Sequence, residues 1–189
     1  GGHGSMPSKA LNPINVIARI VDALRKECPG EGVCTVCHID GGSNTNIIPA
    51  TAKIEGTVRF LKDGVGREIE TVFRSVVERI CKEEGATWEL DYTETYPVTA
   101  SSAEGAELAK AVTEKYFGNG RFVPMKESSM SSEDFSYFLR KSSGVFCHLG
   151  LGEHTALHNS RFEFDDKVLE TGMIFLAGIA ADYLTAHNR

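Results

Sequence analysis

Residues 52–61, AKIEGTVRFL, are the stretch that decides the fold of the first half of the chain. Apolar and polar side chains alternate along it, with Ile54, Gly56, Val58 and Phe60 on one side and charged or hydroxyl side chains on the other. Alternation with a period of two is typical of a strand that buries one face. The stretch is therefore predicted to be a half-buried β-strand.

Four further elements are predicted before residue 97. They are helices over 13–27 and 65–85 and strands over 33–39 and 87–95. Asn12 followed by Pro13 has the pattern of a helix N-cap with proline at the first helical position, and Gly85 is a typical helix end. The resulting order is helix, strand, strand, helix, strand. A ferredoxin-like module has the order β-α-β-β-α-β, so either its first strand is missing or the module is a different one.

Tyr96–Thr99 has the character of a crossing between two domains, which predicts a first domain over 1–97 and a second over 98–189. The predicted elements of the second domain are helices over 103–117, 133–140 and 166–186 and short strands over 121–123 and 145–149. Asp165-Asp166 has the pattern of a cap at the start of the last helix. The predicted fold class is α+β, with an α/β remnant after the first domain.

Composition restricts the class of protein. The 189 residues carry a formal net charge of −6, which disfavours a nucleic-acid-binding surface because such surfaces are basic. No run of 18 apolar residues occurs, so no membrane partner is predicted. The five cysteines are odd in number and several lie in apolar segments. They are predicted to be reduced, mostly buried thiols of a cytoplasmic protein.

Three local patterns have both a functional and an ordinary interpretation. Cys34 to His38 matches the CxxCH pattern of haem attachment, but the run is predicted to be a strand, where the two cysteines point to opposite faces. His158 follows a glycine-rich loop and is a candidate metal ligand or base, the alternative being a surface histidine. His3, within GGHGS, could belong to a cloning remnant or to the native protein.

Four segments in order resemble one family, the aminoacylase, hippurate hydrolase and auxin-conjugate hydrolase branch of the dinuclear-metal peptidases. They are GGHGSMPSKALNPINVIARIVDAL at 1–24, GGSNTNIIPATAKIEGTVRF at 41–60, SSEDFSYFL at 131–139 and LGLGEHTALHNSRFEFDD at 149–166. The resemblance covers nearly the whole chain, and it favours a native origin for the first residues. It implies a ferredoxin-like lid that mediates homodimerisation, without its first strand, followed by the C-terminal part of an α/β metallopeptidase catalytic domain.

The resemblance also implies roles for individual residues. His158 matches a metal-binding histidine. His3 matches a catalytic lid histidine that reaches the partner subunit's active site and stabilises the oxyanion. Asn46 and Arg59 match lid positions that bind the substrate. Glu133 and Asp134 match a motif of expected structural support, and nothing is carried over for Ser101 or Ser102, where the family often has Asn.

The implied reaction is metal-dependent hydrolysis of the amide bond of an N-acyl amino acid or small peptide. Two divalent cations, zinc or manganese, would share and activate a hydroxide. The remaining ligands and the general base would lie upstream of Gly1, so this chain by itself is expected to be inactive and not to bind both metals fully. The rival interpretation is a dimerisation module of the same origin without chemistry.

Overall fold

The computed structural model describes residues 1–187. The chain divides into two compact units. The first comprises Gly1–Val98 with Ser129–Ser131, and the second comprises Thr99–Ser128 with the residues from Ser132 onwards. Helices and small antiparallel sheets together confirm the α+β class.

Two helices of the first unit begin and end where the sequence predicts. Helix α1 spans Pro13–Glu27, and the Asn12 side chain caps it by accepting a hydrogen bond from the Ile14 amide at 3.0 Å. Helix α2 spans Val65–Glu84. It ends at Gly85, whose φ of 70° lies in the left-handed region that favours glycine.

The strands of the first unit form two separate antiparallel pairs. Strand β1 (Gly2–His3) pairs with β3 (Ile47–Ile48), and β2 (Gly32–Asp40) pairs with β4 (Lys53–Phe60). The β2–β4 register shifts between Val36 and His38. Cys37 is therefore the extra residue of a β-bulge.

The core of the first unit lies mainly between α1 and α2. Its buried members are Val16, Ile20 and Leu24 from α1 and Val76, Val77, Ile80 and Cys81 from α2. Burial of each such side chain stabilises the fold by about 1.5–3 kcal/mol before entropy is counted. The apolar faces of α1 and α2, which the periodicity predicted, thus pack against each other within the same unit.

The prediction of a strand over residues 87–95 is wrong, because this segment joins no sheet. A strand needs a neighbour, and in a ferredoxin-like module the last strand lies beside the first. Here only the two residues of β1 precede α1 as a strand, and they pair with β3. The segment is held by side chains instead, since the Tyr92 hydroxyl donates to the Gly66 carbonyl at 2.9 Å and its ring meets Phe73 edge to face.

The prediction that all five cysteines are reduced thiols is also wrong. Cys28, at the end of α1, and Cys34, on β2, form a disulfide across the intervening turn. Cys81 is a buried free thiol, as predicted, and burial raises its pKa. Cys37 and Cys147 are free and exposed.

The described residues of the second unit form three helices. They are α3 (Ala103–Phe117), α4 (Ser136–Leu139) and α5 (Lys167–His187). Helices α3 and α5 pack closely at Gly178, where a Cβ would lie only 2.8 Å from the Tyr116 ring. The predicted strands over 121–123 and 145–149 are wrong, because neither segment pairs in a sheet within the described residues.

Helix α5 leaves most of its apolar surface uncovered. Gly178 is its one buried residue, whereas Leu169, Met173, Leu176 and Leu184 are all more than half exposed. By length and composition α5 could cross a membrane, although the residue pattern had predicted no such segment. A core helix of a soluble protein satisfies the same criterion, so this finding is weak evidence for a membrane.

Candidate active-site residues

The first unit brings His3 and Asn46 together. His3 pairs with Ile47 in the β1–β3 ladder, and the amide of Gly4 donates to the carbonyl of Asn46 at 2.8 Å. A Cβ at position 4 would lie 3.0 Å from that carbonyl oxygen, so glycine permits this close approach. His3, on β1, and Asn46, in the turn directly before β3, therefore lie close together although they are 43 positions apart in the sequence.

The imidazole of His3 is oriented by its own turn. Its Nδ1 atom lies 3.2 Å from the backbone nitrogen of Ser5 and 2.8 Å from the Ser5 hydroxyl. The amide of Met6 also donates to the His3 carbonyl at 2.9 Å, which closes the turn. These contacts engage one ring nitrogen and leave Nε2 without a protein partner among the described residues.

Arg59 lies on β4, in the other sheet of the first unit, where it pairs with Val33. Its side chain is half-buried, and its guanidinium donates to the backbone carbonyl of Val58 at 3.0 Å. Among residues 1–187 no carboxylate forms an ion pair with it. A half-buried guanidinium without an acidic partner is suited to bind a carboxylate from outside the chain.

His158 lies in the second unit on a loop before α5 and has an unusual backbone. Its φ of 65° makes it the one residue other than glycine with a positive φ in the described chain. This left-handed conformation costs a side-chain-bearing residue about 1–3 kcal/mol, and such strain clusters at functional sites. The imidazole is exposed and has no protein partner within residues 1–187.

The described residues do not form a complete metal site. No group of three or more His, Cys, Asp or Glu side chains among them could hold a metal ion. His158 is a suitable ligand by its chemistry, but one imidazole is far from the four ligands that a zinc ion prefers. A dinuclear centre therefore does not fit this set of residues alone.

The motif at Glu133 and Asp134 makes a contact with the backbone just before α4. The Glu133 carboxylate accepts a hydrogen bond from the Phe135 amide at 3.3 Å, just before α4. The hydroxyl of Ser136 is fully buried and has no partner among the described residues. The hydrogen bond from the Phe135 amide is compatible with the structural support expected of Glu133, which stays a prediction.

Two serines that carried no prediction connect separate segments. The hydroxyl of Ser102 caps α3 by accepting from the Gly105 amide at 3.0 Å, and its amide donates to the Gly144 carbonyl at 2.8 Å. The hydroxyl of Ser101 accepts from the Phe146 amide at 3.0 Å. Ser102 before a helical run is a capping signal in the sequence, whereas its contact with Gly144 has no local signal.

Comparison with known proteins shows which family the chain resembles. Residues 1–85 match the model of the peptidase dimerisation domain of the M20 family. The thermostable carboxypeptidase 2 of Saccharolobus solfataricus is 31% identical over 97% of this chain and 49% of its own length. The hippurate hydrolase of Campylobacter jejuni is 27% identical over 97% of this chain and 50% of its own length.

A solved structure agrees on the fold. A dinuclear metal binding peptidase of the M20 family from Bacillus subtilis superposes with a TM-score of 0.81 at 23% identity, over 94% of this chain and 47% of its own. The fold and the comparisons thus define an α+β dimerisation domain followed by a second unit that resembles the same relatives. The chain is similar to peptidases and amidohydrolases of the M20 family, whose dimerisation domain matches residues 1–85, and it spans about half the length of the curated relatives it matches.

Proposed function

We propose that this chain carries the dimerisation lid and the closing part of the catalytic domain of a metal-dependent amidohydrolase, which cleaves the amide bond of N-acyl amino acids or small peptides. The observation that carries the proposal is His158, an exposed imidazole held at a φ of 65° on the loop before α5. Backbone strain of this kind is retained where a side chain must point to a particular place.

In this proposal His158 is one ligand of the metal centre. The other ligands and the general base belong to the half of the relatives' length that this chain does not span. The uncovered apolar face of α5 supports this division, because a helix with so much exposed apolar surface normally packs against another layer. The isolated chain is then inactive, and zinc or manganese remains the expected metal.

The residues of the lid provide substrate contacts. The half-buried guanidinium of Arg59 binds the carboxylate of an N-acyl amino acid through a bidentate fork. His3 donates a hydrogen bond to the oxyanion that develops on the scissile carbonyl, and Asn46, held beside it, contacts the substrate. The family's dimerisation domain supports a homodimer in which His3 serves the partner subunit's active site.

The test uses the full-length gene product with added zinc or manganese. An N-acyl amino acid is compared with its carboxamide, which lacks the charge that Arg59 binds. Wild-type protein is expected to prefer the carboxylate, and Arg59→Lys is expected to lose about tenfold or more in kcat/KM on the carboxylate alone, since a bidentate contact to a charged group is worth about 1.5–3 kcal/mol. Arg79→Lys, which alters a surface pair with Glu27, is the matched control.

Three outcomes would count against the proposal. Equal losses on both substrates would show that Arg59 does not bind the substrate carboxylate. Hydrolysis by the isolated 189-residue chain at the full-length rate would show that no further ligands are needed. A full-length product that dimerises but hydrolyses nothing would favour a dimerisation module without chemistry.

A further inference from the structure

The contacts of His3 determine which of its ring nitrogens carries the proton. A backbone N–H can only donate, so the Ser5 amide, 3.2 Å from Nδ1, requires Nδ1 to be an acceptor. The Ser5 hydroxyl, at 2.8 Å, can donate to the same nitrogen. In the neutral imidazole the proton must then be on Nε2.

Two other histidines have the opposite arrangement. Nδ1 of His154 lies 2.7 Å from the carbonyl oxygen of Thr155, and Nδ1 of His187 lies 2.8 Å from the carbonyl oxygen of Tyr183. A carbonyl only accepts, so Nδ1 must be the donor in both rings. The chain therefore holds histidines in both tautomers, and the backbone around each one makes the difference.

We propose that Ser5 is a positioning residue that holds His3 in the Nε2–H tautomer, so that an N–H donor is presented on the free side of the ring. The inference rests on the proposed function, in which His3 donates to an oxyanion. The other tautomer would present a lone pair to a developing negative charge and would oppose it. The turn closed by Met6 and the contact of Gly4 with Asn46 hold Ser5 close to the ring.

The isolated chain allows a direct test by long-range ¹H–¹⁵N NMR of its histidines, at a pH of about 8.5, where imidazole is neutral. His3 is expected to show an unprotonated Nδ1 and a protonated Nε2, in a ratio above that of histidine in an unstructured peptide. His154 is expected to show the reverse and serves as the internal reference in the same spectrum, whereas Nε2 of His187 also faces the Glu104 carboxylate at 3.5 Å, so His187 is no reference.

Two variants isolate the role of Ser5. Ser5→Ala removes the hydroxyl and keeps the amide, and it is expected to lower the ratio of Nε2–H to Nδ1–H tautomer at His3 by about two- to tenfold, the effect of one hydrogen bond. Ser5→Thr keeps the hydroxyl and is expected to restore the ratio. A protonated Nδ1 on His3 in the wild type, or a ratio that Ser5→Ala leaves unchanged, would overturn the inference.

Activity separates this inference from the function on which it rests. In the full-length gene product Ser5→Ala is expected to lower kcat on an N-acyl amino acid by about two- to tenfold without raising KM, with rescue by Ser5→Thr. An unchanged kcat together with a changed tautomer ratio would overturn the catalytic importance of Ser5. Full activity of His3→Ala would instead contradict the assigned role of His3, and the NMR result for the tautomer would stand.

Discussion

The two units bury their apolar side chains very differently. In the first unit α1 and α2 face each other, and Ile80 is 2% exposed. In the second unit α5 packs on α3 along one line, and Leu176, in the middle of α5, is 68% exposed. The first unit thus has its own core, whereas the second presents an apolar helix face that its own residues do not cover.

The match to the dimerisation domain follows this difference between the two units. The match to the dimerisation domain covers residues 1–85, which is nearly all of the unit with the closed core. The second unit holds His158 and the uncovered apolar face of α5. We infer that the lid can fold from its own residues, and that the second unit is completed by the part of the relatives' length that this chain does not span.

The largest expected effect on stability comes from comparing a buried side chain of the first unit with an exposed side chain of the second. Ile80→Ala removes a side chain that is 2% exposed and is expected to lower the free energy of unfolding by about 2–5 kcal/mol. Leu176→Ala is its matched control in the isolated chain and should change this free energy by about 0.5 kcal/mol or less. Urea denaturation measures both. A large loss for Leu176→Ala would mean that the α5 face is covered in solution, and the contrast between the units would fail.

The disulfide should strengthen only the first unit. Cys28 and Cys34 close a short loop, so the double variant Cys28→Ser/Cys34→Ser is expected to lose about 2 kcal/mol or less of stability. Cys37→Ser, at the exposed bulge position, is the control and should be nearly neutral. Alkylation in denaturant without reductant should label three cysteines, because the other two are paired. Labelling of all five would contradict the disulfide.

The smallest effect concerns the segment that was expected to be a strand. Tyr92→Phe keeps the ring contact with Phe73 and removes the hydrogen bond to Gly66, at an expected cost of about 1 kcal/mol. Tyr183→Phe, at an exposed tyrosine of α5, should cost less. Equal costs would show that the hydroxyl of Tyr92 does not anchor the segment.

Tyr92 also makes the stability of the fold depend on pH. Burial, followed by the charges of Glu94 and Glu70, raises the pKa of Tyr92 above its ordinary value of 10.0. A raised pKa favours the neutral form in the folded state, so this contribution to stability is present below about pH 10 and is lost as the pH rises through the folded-state pKa. Wild-type protein should therefore lose more stability than Tyr92→Phe in this alkaline range. Parallel unfolding curves for the two proteins at high pH would contradict the assignment.

The helices could be predicted from the sequence because their signals are local. Asn12 before Pro13, Ser102 before α3 and Gly85 after α2 each identify a boundary within a few residues of chain. The strand over 52–61 was equally clear from its alternation, and β4 forms over Lys53–Phe60. Local periodicity and capping account for most of the elements that the structure confirms.

The failed strand predictions concern partners that are distant in sequence, whereas the missed disulfide joins two cysteines with a sequence separation of 6. Residues 87–95, 121–123 and 145–149 have strand-forming composition, but a strand also needs a neighbour to accept its hydrogen bonds. The Cys28–Cys34 pair depends on how the turn after α1 places β2. The approach of Asn46 to His3 had no signal in periodicity and was not predicted.

The most direct test of the central claim is hydrolysis of an N-acyl amino acid by the full-length gene product with zinc or manganese, in the wild type and in His158→Asn. Asparagine tolerates the left-handed backbone at this position but lacks the imidazole, so the fold should be preserved. We expect activity in the wild type and a loss of about 100-fold or more in the variant, with the unfolding temperature unchanged. A wild-type protein without activity, or a variant that retains it, would contradict the claim that this chain supplies a ligand to a hydrolase.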